Sequence, residues 1–355
     1  MFKRALLIAS FAAAFAAPAL AEVNIYGSLR TGVEVSSVSG DNSIDRVRLI
    51  DESSRIGFKG SDKLDNGMTL FWKSEHRIRA GSVKADGRLD AGEAWGDRDS
   101  YVGIESQAGT FTFGKQYSAF GDWTLFSPVL DGVASNSEDS ALYMWWDTSA
   151  RVNNVAKYVS PTFSGFQLSA SYDFGSKMPA EGATPAYNNH GYSTLLIWSN
   201  DKFNFGGAYQ RYSDPKMSGT YQTGAIAEAY ALGGGIKLND ALTISAHWER
   251  ARNMGDSFFR RDDYGIGANY AAGKWSFNTM YLKARDSKND DGSSNDDGAY
   301  QFNLGARYAL SKRTSALANY TYFKGDANSP FTTYTNVGGA GQRAHVFSVG
   351  VRTDF

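Results

Sequence analysis

The chain has 355 residues, 36 basic and 37 acidic side chains, and a formal net charge of −1 at pH 7. That balance excludes wholesale nucleic-acid binding, which needs a basic surface. Cysteine is absent, which excludes a disulfide framework and a thiolate metal site.

The first 21 residues have the layout of a secretory signal peptide. Lys3 and Arg4 give a basic start, Ala5 to Ala17 an apolar run, and Ala19-Leu20-Ala21 a small-x-small cleavage pattern. The run is shorter than the ~20 residues a membrane-spanning helix needs. Cleavage near Ala21 leaves 355 − 21 = 334 residues, a single domain over 22–355, with 34 basic against 37 acidic side chains. No later apolar run approaches a helical span, so helical membrane crossing is excluded while a closed β-barrel is not.

From Glu22 the chain reads in twos. Val23, Ile25, Gly27, Leu29, Thr31, Val33 and Val35 share one face, and Asn24, Tyr26, Ser28, Arg30, Gly32 and Glu34 the other. The alternation returns at Phe166–Phe174, Leu242–Glu249 and Tyr300–Tyr308. Side chains alternate across a strand, so each segment has one apolar and one polar face. The segments run to about ten residues, longer than the 5–6 typical of soluble sheets. Aromatics gather near their ends, at Trp198, Tyr209, Tyr212, Trp248, Trp275, Tyr320 and Tyr322. Both features favour a barrel over a sandwich.

Connections alternate in length. Short ones such as Leu64-Asp65-Asn66-Gly67, Ser199-Asn200-Asp201 and Leu238-Asn239-Asp240 carry the Asn, Asp and Gly of tight turns. Long ones are expected at 36–47, 80–96, 118–150, 175–191, 213–227, 253–261, 286–298 and 325–344. Seven short and eight long connections join sixteen strands, and an even count puts both ends on one side. Gly233-Gly234-Gly235 lacks the context of a phosphate loop and reads as strand. The Asp286–Asp297 run holds five aspartates but fails the spacing of a calcium-binding EF-hand. It reads as a solvated loop, with a weak divalent-cation site as the lesser alternative. The stretch Ser118–Arg151 is the longest without a two-residue period, mixing acids with Trp123, Phe126, Trp145 and Trp146. An insertion of that length is usually either functional or a sign of a wrong element assignment, and it reads as a loop folded into the channel.

The segments EVNIYGSLRTGVE, SSRIGFKGSDKLDNGMTLFWKSE and GTFTFGKQY, with the terminal HVFSVGVRTDF, resemble trimeric general porins of Gram-negative outer membranes, in the branch that includes the neisserial and Bordetella porins. The resemblance covers the whole mature chain. It implies an all-β, sixteen-stranded antiparallel membrane barrel that assembles as a homotrimer, with a third outer loop folded inward. It also implies that basic groups on the barrel wall face acids on that loop. The C-terminal aromatic, here Phe355, is read by the outer-membrane assembly machinery in that family.

Alternation alone turns Arg30, Arg55, Lys59, Lys73, Glu75, Arg77 and Arg79 inward, because Ile56, Phe58, Leu70, Trp72 and Ile78 face out. A lipid-facing Arg at mid-membrane would cost roughly 2–4 kcal/mol, so such residues look into water. The resemblance adds Arg55, Lys115 and Arg151 as pore-constriction positions. Alternation sets Lys115 beside Phe111 and Phe113, so an inward Lys115 needs a bulge near Gly114. The basic wall is therefore Arg30, Arg55, Arg77, Lys115 and Arg151, and the loop acids are Asp122, Asp131, Glu138 and Asp139. The resulting expectation is an outer-membrane pore passing ions and small hydrophilic solutes by diffusion, weakly anion-selective, with no cofactor. A plugged structural or adhesin barrel would need an apolar lumen, yet the inward positions are mostly Ser, Asn, Gln, Gly and charged groups. An enzyme would need a nucleophile, base and orienting group in reach. His76 alternates toward lipid, His190 falls in a loop, and neither G-x-S-x-G nor H-E-x-x-H occurs.

Overall fold

The computed structural model describes residues 23–40, 44–51, 54–78, 96–123, 151–175, 189–217, 220–221, 224–253, 260–331, 333 and 337–355. The expected signal peptide lies outside them. Sixteen antiparallel strands close a barrel. β1 is Asn24–Ser39, and β2 has two segments, Ile44–Asp51 and Arg55–Lys63. β3 is Thr69–Arg77, β4 Ser100–Ser106, β5 Gly109–Tyr117, β6 Arg151–Val159, β7 Phe166–Asp173 and β8 His190–Ser199. β9 is Phe203–Ser213, β10 Ile226–Lys237, β11 Leu242–Arg252 and β12 Arg260–Ala272. β13 is Trp275–Ala284, β14 Ala299–Ala309, β15 Thr314–Gly325 and β16 Arg343–Asp354.

The short ends are Asx turns. The Asn200 side-chain oxygen accepts from the backbone N–H groups of Lys202 and Phe203, and Asn239 does the same for Ala241 and Leu242. Outward faces carry exposed apolar groups, among them Phe111, Phe113, Leu196, Leu232, Phe277, Leu304 and Val349. Trp275 to Lys283 spans about 26 Å along β13 at ~3.3 Å per residue, which matches the ~25 Å apolar band of a membrane barrel. Inward faces are polar, and their side chains pair in places. On β14 and β15 the amide of Gln301 donates to Asn303, and Asn303 and Asn319 both donate to the Thr321 hydroxyl.

Two expectations change, and a third feature lies outside what alternation shows. The first outer connection is only 40–43 rather than 36–47, because β1 continues through Ser36–Ser39. Those serines have no strand preference of their own, but β16 pairs all of them and β2 pairs Ser36 and Ser37 from the other side. His190 opens β8 instead of lying in a loop. The third is a bulge in β2. Thr31 pairs with Asp51 and Ser28 with Arg55, so two β1 residues face three on β2. Ser54 fills the gap: the Arg30 N–H donates to its hydroxyl at 2.8 Å, and that hydroxyl donates to the Arg30 carbonyl at 3.2 Å. One extra residue exchanges the faces of everything beyond it. Odd positions Val47 and Leu49 face lipid, while Arg55, Gly57 and Lys59 look into the lumen.

The ends close the ring. β1 pairs with β16 from Ser28↔Asp354 to Ser39↔Arg343. Gly27 and Phe355 exchange backbone hydrogen bonds of 2.9 and 3.0 Å. A Cβ on Gly27 would lie 2.3 Å from the Phe355 ring and 2.6 Å from the Arg55 carbonyl. Gly27→Ala is therefore expected to lower the stability of the refolded barrel by about 1–3 kcal/mol, the usual range for overpacking. Urea unfolding followed by tryptophan fluorescence checks this, and unchanged stability would show that the seam tolerates displacement of Phe355.

Candidate functional site

The bulge in β2 delivers Arg55 to a cluster built on β1 to β6. Glu75 on β3 sits at its centre. Its carboxylate accepts from Arg98 Nε at 2.5 Å and from the Tyr26 hydroxyl at 3.0 Å, with Lys73 Nζ at 3.6 Å and Arg55 Nε at 4.0 Å. Asp99, immediately before β4, is the second centre. It accepts from Lys73 Nζ at 2.6 Å and from Arg151 Nε at 2.5 Å. Arg151 also donates to the Tyr117 hydroxyl at 3.0 Å and lies over the Tyr117 ring at 4.2 Å. Lys157 Nζ binds Asp122 at 2.8 Å and the Tyr117 carbonyl at 3.1 Å. Among the described residues these contacts join five cations, Arg55, Lys73, Arg98, Arg151 and Lys157, to three acids, Glu75, Asp99 and Asp122. The lumen wall is therefore basic by two charges here.

A second irregularity shapes the Arg151 end. Gly114 pairs with Val155 and Gln116 with Val152, so two β6 residues face one on β5, and Asn154 adopts a positive φ of 60°. The extra residue lies on β6, not β5. Gln116 consequently stays on the lumen face, accepting a hydrogen bond from Thr112 at 2.7 Å. Lys115 stands opposite Ser100 in register, and no ion pair is described for it. The bulge that would bring Lys115 inward is thus on the neighbouring strand, and Lys115 does not join the cluster. Arg77 pairs with Asp97 at 3.5 Å and is 40% exposed at the edge of the group. Arg30 is buried on β1, with Nε donating to the Ser28 hydroxyl at 3.2 Å.

The first residues of the third outer connection, 118–123, leave β5 along the inner wall. The Ala119 N–H donates to Ser171 on β7 at 2.9 Å, the Phe120 N–H to Ser193 on β8 at 3.1 Å, and the Ser118 hydroxyl to Gln210 on β9 at 3.3 Å. The Trp123 indole N–H donates to Glu249 on β11 at 3.0 Å. Phe120 and Trp123 are fully buried, in one apolar cluster with Leu195, Ala208, Ala229, Ala231 and Ala251. Small inward side chains on β8 to β11 leave room for these two rings, while the serines satisfy the backbone that leaves the ladder. Asp131, Glu138 and Asp139 lie outside the described residues. In the seventh connection, Asp297 pairs with Arg261. Asp286, Asp296 and Asp326 lie within 4.8 Å of one another. The exposed Asp291 carboxyl is held below its usual range by two hydrogen bonds from Ser293.

Alternation had shown Lys73 and Glu75 inward without marking them as central. Arg98 and Asp99 sit outside any strand pattern, and the β6 bulge hides Lys157, so no periodicity signal reaches those three.

The Gram-negative porin family model matches residues 8–328. The chain belongs to the Gram-negative porin family. Similar proteins include the major outer membrane protein P.IB of Neisseria meningitidis serogroup B, 27% identical over 95% of this chain and 98% of that protein. The serogroup A protein of the same name is 28% identical over 95% and 98%. Among solved structures, the anion-selective porin from Comamonas acidovorans has a TM-score of 0.74 at 19% identity, covering 94% of this chain and 100% of that one. Salmonella typhi OmpF has 0.68 at 17% identity, covering 94% and 98%. OmpT of Vibrio cholerae in a trimer form has 0.65 at 17%, covering 94% and 99%. This porin is an outer-membrane β-barrel channel for passive diffusion, and the family supports oligomeric assembly.

Proposed function

We propose that Arg55, Lys73, Arg98, Arg151 and Lys157 form the basic wall of the pore constriction and give weak anion selectivity. The observation that carries this reading is the excess of cations over acids where the third connection enters the lumen. Net charge of the whole chain is the wrong guide, because charges on outer loops lie beyond the Debye length of about 8 Å at physiological salt. Charges at the narrowest ring act through low-dielectric walls that focus the field. Arg30 and Arg77 extend the basic side beside this cluster, while Lys115 contributes least. Asp122, with Asp131, Glu138 and Asp139 further along the loop, supplies the opposing acids that keep the preference weak. The Comamonas porin of similar fold is itself anion-selective, which agrees with the reading.

The same reading makes the protein a homotrimer, as OmpT of Vibrio cholerae is in one solved form. It also makes residues 1–21 a cleaved signal peptide and Phe355 the assembly signal. Ions and small hydrophilic solutes cross down their own gradients, and the channel needs no cofactor. The test is a reversal potential in a potassium chloride gradient across a planar bilayer. A chloride-to-potassium permeability ratio above unity is expected, and a pore that prefers potassium overturns the assignment.

A further inference from the structure

We propose that the eighth outer connection, residues 326–342, is a second narrowing of the pore, held inside the outer mouth by Phe331 and Arg261, and that it limits the size of uncharged solutes. The lumen face is apolar in one place. Val38 on β1, Ala284 on β13, Ala299 on β14, Phe323 on β15, and Ala344 and Val346 on β16 all point inward, on the same faces as Gln301 and Thr321. They are neighbours in register: Ala284 pairs with Ala299, Phe323 with Ala344, and Ala344 with Val38. A water-filled lumen would leave such a patch wet, yet none of the six is more than 6% exposed. A contiguous apolar patch on a face turned to water marks a place where something sits.

The cover is the eighth connection. Phe331 and Val337 are themselves buried and belong to the same apolar cluster as those six. Gly338, at a φ of 82°, crosses directly over the floor: a Cβ there would lie 2.7 Å from the Phe323 ring and 3.2 Å from the Ala344 methyl. Arg261 points inward from β12, and its guanidinium lies 4.9 Å from the centroid of the Phe331 ring. A cation over an aromatic face is attracted to it. Arg261 also pairs with Asp297, so the same side chain joins the seventh connection to the eighth. Asn328 repeats the link, its N–H donating to the Asp296 carbonyl and its amide to the Asn295 carbonyl, both at 2.9 Å. The Val337 N–H donates to the Thr333 hydroxyl at 3.0 Å. The connection is thus fastened to the lumen side of β12 at Phe331 and of β15 and β16 at Gly338, and its bulk is taken out of the channel cross-section. Pore diameter selects solutes without any charge, and neither Phe331 nor Val337 carries one. This narrowing stands apart from the basic wall of β1 to β6.

Swelling of liposomes that carry the refolded protein, in arabinose and in the trisaccharide raffinose, provides the test. The double variant Phe331→Ala, Val337→Ala should raise the raffinose-to-arabinose rate ratio by about threefold or more, because pore width sets that ratio. Arg261→Lys keeps the charge but gives up the flat guanidinium over Phe331, so it should move the ratio the same way by a smaller factor. The chloride-to-potassium permeability ratio of the double variant should stay at the wild-type value, since no charge changes. A wild-type pore that admits raffinose as fast as arabinose overturns the proposal without any variant. Wild-type sieving by the folded double variant overturns it as well, and Arg261→Lys is decisive in the same way where the double variant does not fold. A shifted permeability ratio in the double variant would place the effect on the charged wall and also overturn it.

Discussion

Replacing Arg55 and Arg151 together by glutamine should move the chloride-to-potassium permeability ratio toward potassium by about threefold to tenfold. Two unit charges interact by about 1 kcal/mol at 4 Å in water and by about half that at 8 Å. Each removed cation therefore changes the energy of a passing ion by about 0.5–1 kcal/mol, with screening working to reduce it. The double substitution leaves three cations, Lys73, Arg98 and Lys157, against three acids, Glu75, Asp99 and Asp122. Lys73 still holds Asp99 at 2.6 Å and Arg98 still holds Glu75 at 2.5 Å, so the acids keep partners and the wall should persist. Arg77→Gln is the internal comparison. Its side chain is paired with Asp97 and more exposed, so it should change the ratio by less than about twofold. A double variant with wild-type selectivity, or an Arg77 variant with the larger effect, would place the constriction on other residues.

The second large effect is expected at the docked loop. Trp123→Ala removes a fully buried indole and its hydrogen bond to Glu249. Truncating a buried Trp costs about 3–5 kcal/mol. The barrel ladder does not depend on residue 123, so the loss should fall on the attachment of the third connection. Recordings should show higher open-channel conductance with added current noise, while the unfolding midpoint of the barrel moves little. Glu249→Gln keeps an oxygen that can accept from the indole, and a neutral hydrogen bond is worth about 0.5–1.5 kcal/mol. Its effect should be smaller and in the same direction. A quiet Trp123→Ala pore of wild-type conductance would show that residues 118–123 do not hold the loop in place.

The barrel was legible because lipid and water stand on opposite sides of every strand, so Val33, Val35, Phe277 and Val349 had to alternate with polar partners. The same rule turned Arg55, Lys73 and Glu75 inward without reference to any relative. It failed wherever a side chain took over a backbone bond. Ser54 replaces a ladder partner of Arg30, and this extra residue is what turns Arg55 inward relative to Val47 and Leu49. Asn154 does similar work near Arg151, and it conceals Lys157. Arg98 and Asp99 lie where the strand pattern has not begun, and their place by Glu75 and Arg151 depends on tertiary pairing alone. The alanines that receive Phe120 and Trp123 look in sequence like weak strand positions. Their small size matters only when β8 to β11 stand side by side.

The seam between β1 and β16 also sets the order of events in making the molecule. Ser28 finds its partner 326 residues later, at Asp354, and the backbone exchange at Gly27 uses Phe355 itself. Contacts of such sequence separation make folding slow, because chain entropy is lost before the pairing rewards it. No fragment can close this barrel before β16 joins β1. Until then β1 keeps an open edge of unpaired backbone groups, which aggregates in water and is not tolerated in lipid. Insertion and closure of such a barrel are therefore expected to occur together.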